Sequence, residues 1–263
     1  MAKILANASC LKTENIIGGK PASANQFPYQ VSLRRGNSSF CGGSLISPDV
    51  VLTAAHCFRR NSTLPVTVLA GIVDLNTGKG ESNTVSHVTL HPGFKKQPNS
   101  LYINDIAVLK LSKKFNVQNN PKVSTIDLPV NNDKTYAGET ALISGYGWNK
   151  IWPRVNKTGS KKWDGRSEKL LKYALVEVLE NHQCKHKFPS YLCGRVIPQS
   201  PEDKNLGVCF GDSGGPLAHN NTLIGVVSQG PMSCNDWKRP TMYTRVSLFL
   251  EFIAVAMKTR AND

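Results

Sequence analysis

The stretch Cys209-Phe-Gly-Asp-Ser-Gly-Gly-Pro-Leu217 decides how this chain is read. Its serine, Ser213, has Gly211, Gly214 and Gly215 around it, so a tight turn with an exposed hydroxyl is sterically open. Backbone N–H groups of such a turn can converge on one point. A nucleophile for acyl transfer needs both features, an accessible oxygen and an oxyanion hole. A Gly-rich hairpin without chemistry has the same composition, so the segment alone leaves both readings open.

Two other segments bear on it. Val51-Leu-Thr-Ala-Ala-His-Cys57 puts His56 at the end of an apolar run, and Asn104-Asp-Ile-Ala-Val-Leu-Lys-Leu111 opens an apolar strand with Asp105. Taken singly, His56 reads as an edge histidine and Asp105 as a turn residue. The surroundings are β-rich. Short apolar runs such as Val31–Leu33, Val50–Ala55, Val85–Leu90, Ile106–Leu111, Ala141–Ser144, Tyr173–Leu179 and Leu223–Ser228 are separated by Gly, Pro and Asn. Short strands with turn punctuation and no alternating long helices point to all-β barrels or sandwiches. One amphipathic helix is expected near the end, where Phe249, Phe252, Ile253 and Ala256 fall at helical spacing.

The chain has 263 residues, enough for one or two domains, and 40% hydrophobic residues, which excludes disorder as its main state. No run reaches the roughly 18 apolar residues of a membrane span. Lys and Arg total 32 against 18 Asp and Glu, a formal net charge of +14. Residues 149–172 hold eight of these cations and two carboxylates and read as a long basic surface loop. Charge alone raises nucleic-acid binding, but no recognition helix, aromatic platform or zinc spacing accompanies it. Asn-x-Ser/Thr triplets at Asn7, Asn37, Asn61, Asn156 and Asn220 permit glycosylation of a secreted chain and show nothing alone. Seven cysteines are an odd set, and sequence leaves their pairing open.

Taken together, the ordered motifs carry a resemblance. Ile16-Ile-Gly-Gly19, Cys41-Gly-Gly-Ser44, Thr53-Ala-Ala-His-Cys57, Asn104-Asp-Ile-Ala107 and Gly211-Asp-Ser-Gly-Gly-Pro216 resemble the chymotrypsin/trypsin family of serine proteases from Ile16 to about Met257. The short cystine set looks most like insect-type chymotrypsins. The resemblance implies two six-stranded antiparallel Greek-key β-barrels and a C-terminal helix. Their bounds are expected at about 16–128, 129–246 and 247–258, with 1–15 a signal stub or pro-segment. It implies a secreted endopeptidase with Ser213 as nucleophile, His56 as general base and acid, Asp105 as its orienting carboxylate, and Gly211 and Ser213 N–H groups at the oxyanion.

It also implies the disulfides Cys41–Cys57, Cys184–Cys193 and Cys209–Cys234, which leave Cys10 over. A metal reading of His182, Cys184 and His186 is weaker than half a cystine at Cys184, and no metal or cofactor is expected. Activation would free the Ile16 ammonium to pair with Asp212, although Asn15 stands where the family usually has Arg or Lys. The specificity pocket maps to Gly207, Val208, Gly230 and Thr241. Gly207 replaces the carboxylate that trypsin-like enzymes use for cations, so an uncompensated Arg or Lys would be costly to bury there. Large apolar residues before the cut are expected, with small, elastase-like ones as the alternative. Ser228, Gln229 and Gly230 would pair with substrate backbone, with Gln229 in place of the usual Trp. A non-enzymatic homologue acting as a binding or signalling protein is the competing reading. Expected partners are protein or peptide substrates and acidic protein or polysaccharide surfaces along residues 149–172, without nucleic acid or membrane, for a monomer.

Overall fold

A computed structural model describes residues 16–17, 19–59, 65–98, 101–155, 159, 161–167, 169–184, 188–200, 207–234, 236 and 238–258. The first half of the chain supplies β1 (Lys20–Pro21), β2 (Gln30–Arg35), β3 (Ser38–Ser47), β4 (Val50–Thr53), β5 (Val66–Ala70), β6 (Glu81–Leu90), β7 (Lys95–Lys96), β8 (Tyr102–Ile103) and β9 (Ala107–Leu111). The second half supplies β10 (Thr140–Gly145), β11 (Lys150–Val155), β12 (Lys161–Arg166), β13 (Lys172–Leu179), β14 (Tyr191–Val196), β15 (Pro216–His219), β16 (Thr222–Gln229) and β17 (Thr241–Arg245). A helix, α1 (Leu250–Lys258), closes the described chain.

β2, β3, β4, β9, β6 and β5 close into one antiparallel barrel. A second forms in the order β13, β10, β15, β16, β17, β14, closed by pairing of β14 back onto β13, with β1 added outside on β13. This is the expected architecture, two six-stranded barrels and a terminal helix. Closure removes the exposed sheet edges that open sheets must protect. The apolar runs fill the barrel interiors: Val31, Leu33, Leu45, Leu52, Val68 and Leu109 in one, Ile143, Val176, Leu217, Ile224, Val227 and Tyr243 in the other. Each such aliphatic side chain contributes about 1.5–3 kcal/mol by leaving water.

The helix turns Ile253 and Ala256 into the first barrel's core, beside Phe249 from the preceding turn. Lys110 Nζ of β9 donates to Met257 O at 3.3 Å, tying the helix end to that barrel. Residues 149–172 depart from the sequence reading. Instead of an irregular loop, half of them form an exposed two-stranded ribbon in which β11 pairs with β12 from Lys150↔Arg166 to Val155↔Lys161. Ile151, Trp152, Val155 and Trp163 supply β-branched and aromatic residues between the charges, and the charges mask that strand preference in the sequence. Lys172, counted with the surface cations, is instead fully buried in β13, with Nζ 3.4 Å from Gly19 O.

All three disulfides expected from the resemblance are present: Cys41–Cys57, Cys184–Cys193 and Cys209–Cys234. The cystine at Cys184 removes the thiolate from the metal reading, and His186 lies outside the described residues, as do Asn15 and Cys10. Asn37 and Asn220 sit in exposed turns.

Candidate active site

Three chain segments converge between the barrels. β4 ends at Thr53, and a short 3-10 turn, Ala55–Phe58, carries His56. Thr53 Oγ1 donates to Gly42 O at 2.8 Å, fixing that end of β4 against β3. Asp105 lies just before β9, and Ser213 just before β15. Gly42 N of the first barrel donates to Ser213 O at 2.8 Å, so the serine turn is anchored across the divide.

Asp105 is wholly shielded from water, and its polar atoms are well matched. Oδ1 accepts from His56 N at 2.8 Å, and Oδ2 lies 2.7 Å from His56 Nδ1. Ser228 Oγ donates to the same Oδ2 at 2.6 Å, and Thr244 Oγ1 donates to the Asp105 carbonyl at 2.8 Å. A carboxylate with no proton of its own can only accept, and opposite one Nδ1 donates and leaves the Nε2 lone pair free. Tyr102 stacks on the imidazole with centroids 4.9 Å apart and planes 6° from parallel. The Arg59 guanidinium in turn lies over the Tyr102 ring at 5.4 Å and hydrogen-bonds its hydroxyl. The ring of His56 is therefore held at its edge by Asp105 and on one face by Tyr102.

The serine turn depends on glycine where the backbone demands it. Gly211 and Gly214 have φ of +103° and +80°, which L side chains rarely adopt, and a Cβ on Gly214 would strike Thr53 Oγ1. Between them Asp212 is buried, with Oδ1 accepting from Gly147 N at 2.8 Å and Oδ2 from Cys209 N at 2.9 Å. Burial pushes the Asp212 carboxyl up to about 6, and the two N–H groups only partly oppose this. A Cβ at Gly145 or Gly147 would fall on this carboxylate, so the two glycines form its cradle. Ile16 is buried in the second barrel's core, at φ +32°. That backbone region is strained for a β-branched residue.

His56 and Ser213 line one cavity of about 410 Å³. Val208, Ser228, Gln229 and Gly230 are on its wall, together with Met232 and Cys234, and none of its described lining residues is a carboxylate. Two of the residues expected to line the pocket, Gly207 and Thr241, are buried behind this lining. A Cβ at Gly207 would run into the Cys234 carbonyl. Thr241 Oγ1 stands 3.6 Å behind the position of a Cβ on Gly230.

The model of the Trypsin family matches residues 16–253. The chain belongs to the trypsin family. Among its relatives are trypsin of Sus scrofa, 34% identical over 91% of this chain and 94% of that protein, and Trypsin I-P1 of Gallus gallus, 34% identical over 94% and 90%. Kallikrein-15 of Homo sapiens is 29% identical over 97% and 96%. A solved structure of human heparin binding protein aligns with a TM-score of 0.73 and 28% identity, covering 93% of this chain and 97% of that one. The trypsin-family chain is thus a serine endopeptidase by kinship, and its disulfides fit an extracellular protein.

Several features of this trypsin-family site escape sequence reasoning. Ser228 is legible as a backbone partner of substrate, yet its side chain binds Asp105, 123 residues earlier. Tyr102 gives only a proximity signal, three residues before Asp105. Tyr146 reads as a packing change, but its hydroxyl donates to Ile72 O at 2.6 Å and fastens the second barrel to the first.

Proposed function

We propose that this chain is a secreted endopeptidase that works through Ser213, His56 and Asp105. Ser213 Oγ attacks the carbonyl carbon of the scissile bond while His56 Nε2 takes its proton. The N–H groups of Gly211 and Ser213 stabilise the oxyanion. Collapse of the tetrahedral species breaks the C–N bond, and His56 returns the proton to the leaving amine. Water, deprotonated by His56, then releases the acyl group by the same path. Asp105 stabilises the imidazolium throughout. The observation that carries this reading is the chain from Ser228 Oγ through buried Asp105 Oδ2 to His56 Nδ1 at 2.6 and 2.7 Å, whose two ends line the same cavity as Ser213. Stoichiometric labelling of Ser213 by an organophosphate tests it. No labelling of the cleaved protein would favour a non-enzymatic binding scaffold.

Large apolar residues before the cut fit a cavity whose described lining residues include no carboxylate, even though the relatives named above are trypsins and a kallikrein. Steady-state rates on Phe, Ala and Arg anilide peptides rank the options, and an Arg preference would overturn this one. In the proposed activation, cleavage after Asn15 releases the Ile16 ammonium to pair with Asp212, relieving the φ strain at Ile16 and the isolation of a buried carboxylate. N-terminal sequencing of the active enzyme should read Ile-Ile-Gly-Gly. The exposed basic ribbon β11–β12 is proposed to meet acidic protein or polysaccharide surfaces, in a monomer. Its cations outnumber its one described acid, Asp164, and human heparin binding protein is a structural neighbour.

A further inference from the structure

A second cavity, of about 380 Å³, lies beside the first. Phe210 lines both, and Gly211, beside the proposed oxyanion site, lines the second. Trp148, tilted against Phe210 with centroids 5.0 Å apart, and Phe40 give it aromatic walls. Arg34 and Lys169 bring two positive charges to it, and none of its described lining residues is a carboxylate. Arg34 is only partly committed. Its Nη2 donates to Asn37 O at 2.8 Å, but its Nε is shut off from water without a hydrogen-bond partner. Among the described residues neither Arg34 nor Lys169 is paired with an Asp or Glu. The hydroxyl-bearing residues Ser38, Ser39 and Ser167 complete the polar lining.

The position of this cavity fixes what reaches it. A substrate with its residue before the cut in the first cavity, and its upstream backbone along Ser228–Gly230, passes Ser213 at the scissile bond. Its leaving-group side then runs beyond Phe210 and Gly211. We infer that the second cavity is a binding site for a carboxylate on the leaving-group side of the substrate, held by Arg34 and Lys169 over an aromatic floor. This rests on the endopeptidase reading and adds the substrate class: apolar residues before the cut, acidic residues just after it. A buried guanidinium donor without a partner is costly until an acceptor arrives, and a carboxylate supplies both the acceptor and the countercharge.

The test uses quenched-fluorescence peptides with Phe before the cut, amidated at the C-terminus, carrying Glu, Gln or Lys at each of the first three positions after it. The cleaved enzyme should prefer Glu over Lys about tenfold in kcat/KM at one of these positions. The preference should shrink below threefold in Arg34→Gln combined with Lys169→Gln. Each enzyme's own Glu-to-Lys ratio is read, so partial loss of folded protein cancels. Raising NaCl from low salt to 0.5 M should erode the preference in the unsubstituted enzyme, as screening shortens with ionic strength. A parallel arm measures binding of the same peptides to the Ser213→Ala protein by fluorescence polarisation, which needs no turnover. If anilide peptides are not cleaved but Glu peptides still bind in preference, the endopeptidase reading fails and the carboxylate site stands. Equal binding and cleavage of Glu and Lys peptides, or a preference untouched by the double substitution, would overturn the site. An effect seen only with free C-terminal carboxylates would overturn the side-chain source in favour of the chain terminus.

Discussion

Under the proposed activation, Asp212 should make the stability of the chain depend on whether the bond before Ile16 is intact. In the uncleaved chain its carboxyl is buried with two N–H donors, and its folded-state value rises from 3.8 to about 6. A raised carboxyl value means that the folded state holds a proton that the unfolded state has released. Stability from this group is therefore full below pH 4 and lost as the pH climbs from 4 to 6. A shift of about two units corresponds to about 3 kcal/mol. For a domain of this size, that lowers the thermal midpoint by roughly 6–12 °C. Cleavage that frees the Ile16 ammonium should reverse the sign, since an adjacent cation favours the ionised carboxylate. Other groups titrate in the same range. Asp49, for one, is held below its usual value by Ser47 and Lys110 against the cost of burial, and favours the fold as pH rises. The quantity to measure is therefore the difference between cleaved and uncleaved Ser213→Ala protein, in which such groups cancel. Thermal melts from pH 3.5 to 7 should show the two midpoints diverging between pH 4 and 6, the cleaved form gaining. A difference that stays flat across this interval would refute the account of Asp212 as an isolated buried acid awaiting a cation.

Other substitutions probe other parts of the argument. Ser228→Ala removes the 2.6 Å bond to Asp105 and should lower kcat about tenfold with little change in KM, since a bond to a charged group contributes about 1.5–3 kcal/mol; an unchanged kcat would leave Ser228 with no part in holding Asp105. Gly207→Asp should not convert the enzyme cleanly to Arg cleavage, because its Cβ meets the Cys234 carbonyl; lower unfolding midpoints and weak Arg turnover are expected in urea titrations and anilide assays. Gly147→Ala puts a methyl on the Asp212 carboxylate and should cost more than about 1 kcal/mol, read by denaturation, together with loss of Ser213 labelling. Replacing Lys150, Arg154 and Arg166 by Gln should weaken retention on immobilised heparin while leaving anilide hydrolysis at Ser213 intact.

By itself the sequence carried the family's motifs, a β-rich chain of short strands and the three residues of the candidate triad, while the two-barrel architecture was legible through the resemblance. Those signals are local: a nucleophile needs its glycines next to it, and strands buried inside a barrel need unbroken apolar runs such as Val50–Thr53. The pairing of Cys41 with Cys57 was legible only through the resemblance. Tertiary structure decided what depends on distant segments meeting. Ser228 reaches Asp105 across 123 residues, Gly145 and Gly147 make room for Asp212, and the Cys234 carbonyl fills the space that a side chain at Gly207 would need. No local pattern records these approaches, since the first is set by how the second barrel meets the first and the others by how distant segments of the second barrel pack together. The basic segment shows the same limit from the other side. Its charge was readable, but the cross-strand pairing of Lys150 with Arg166 and the burial of Lys172 follow from hydrogen-bond register, which composition does not carry.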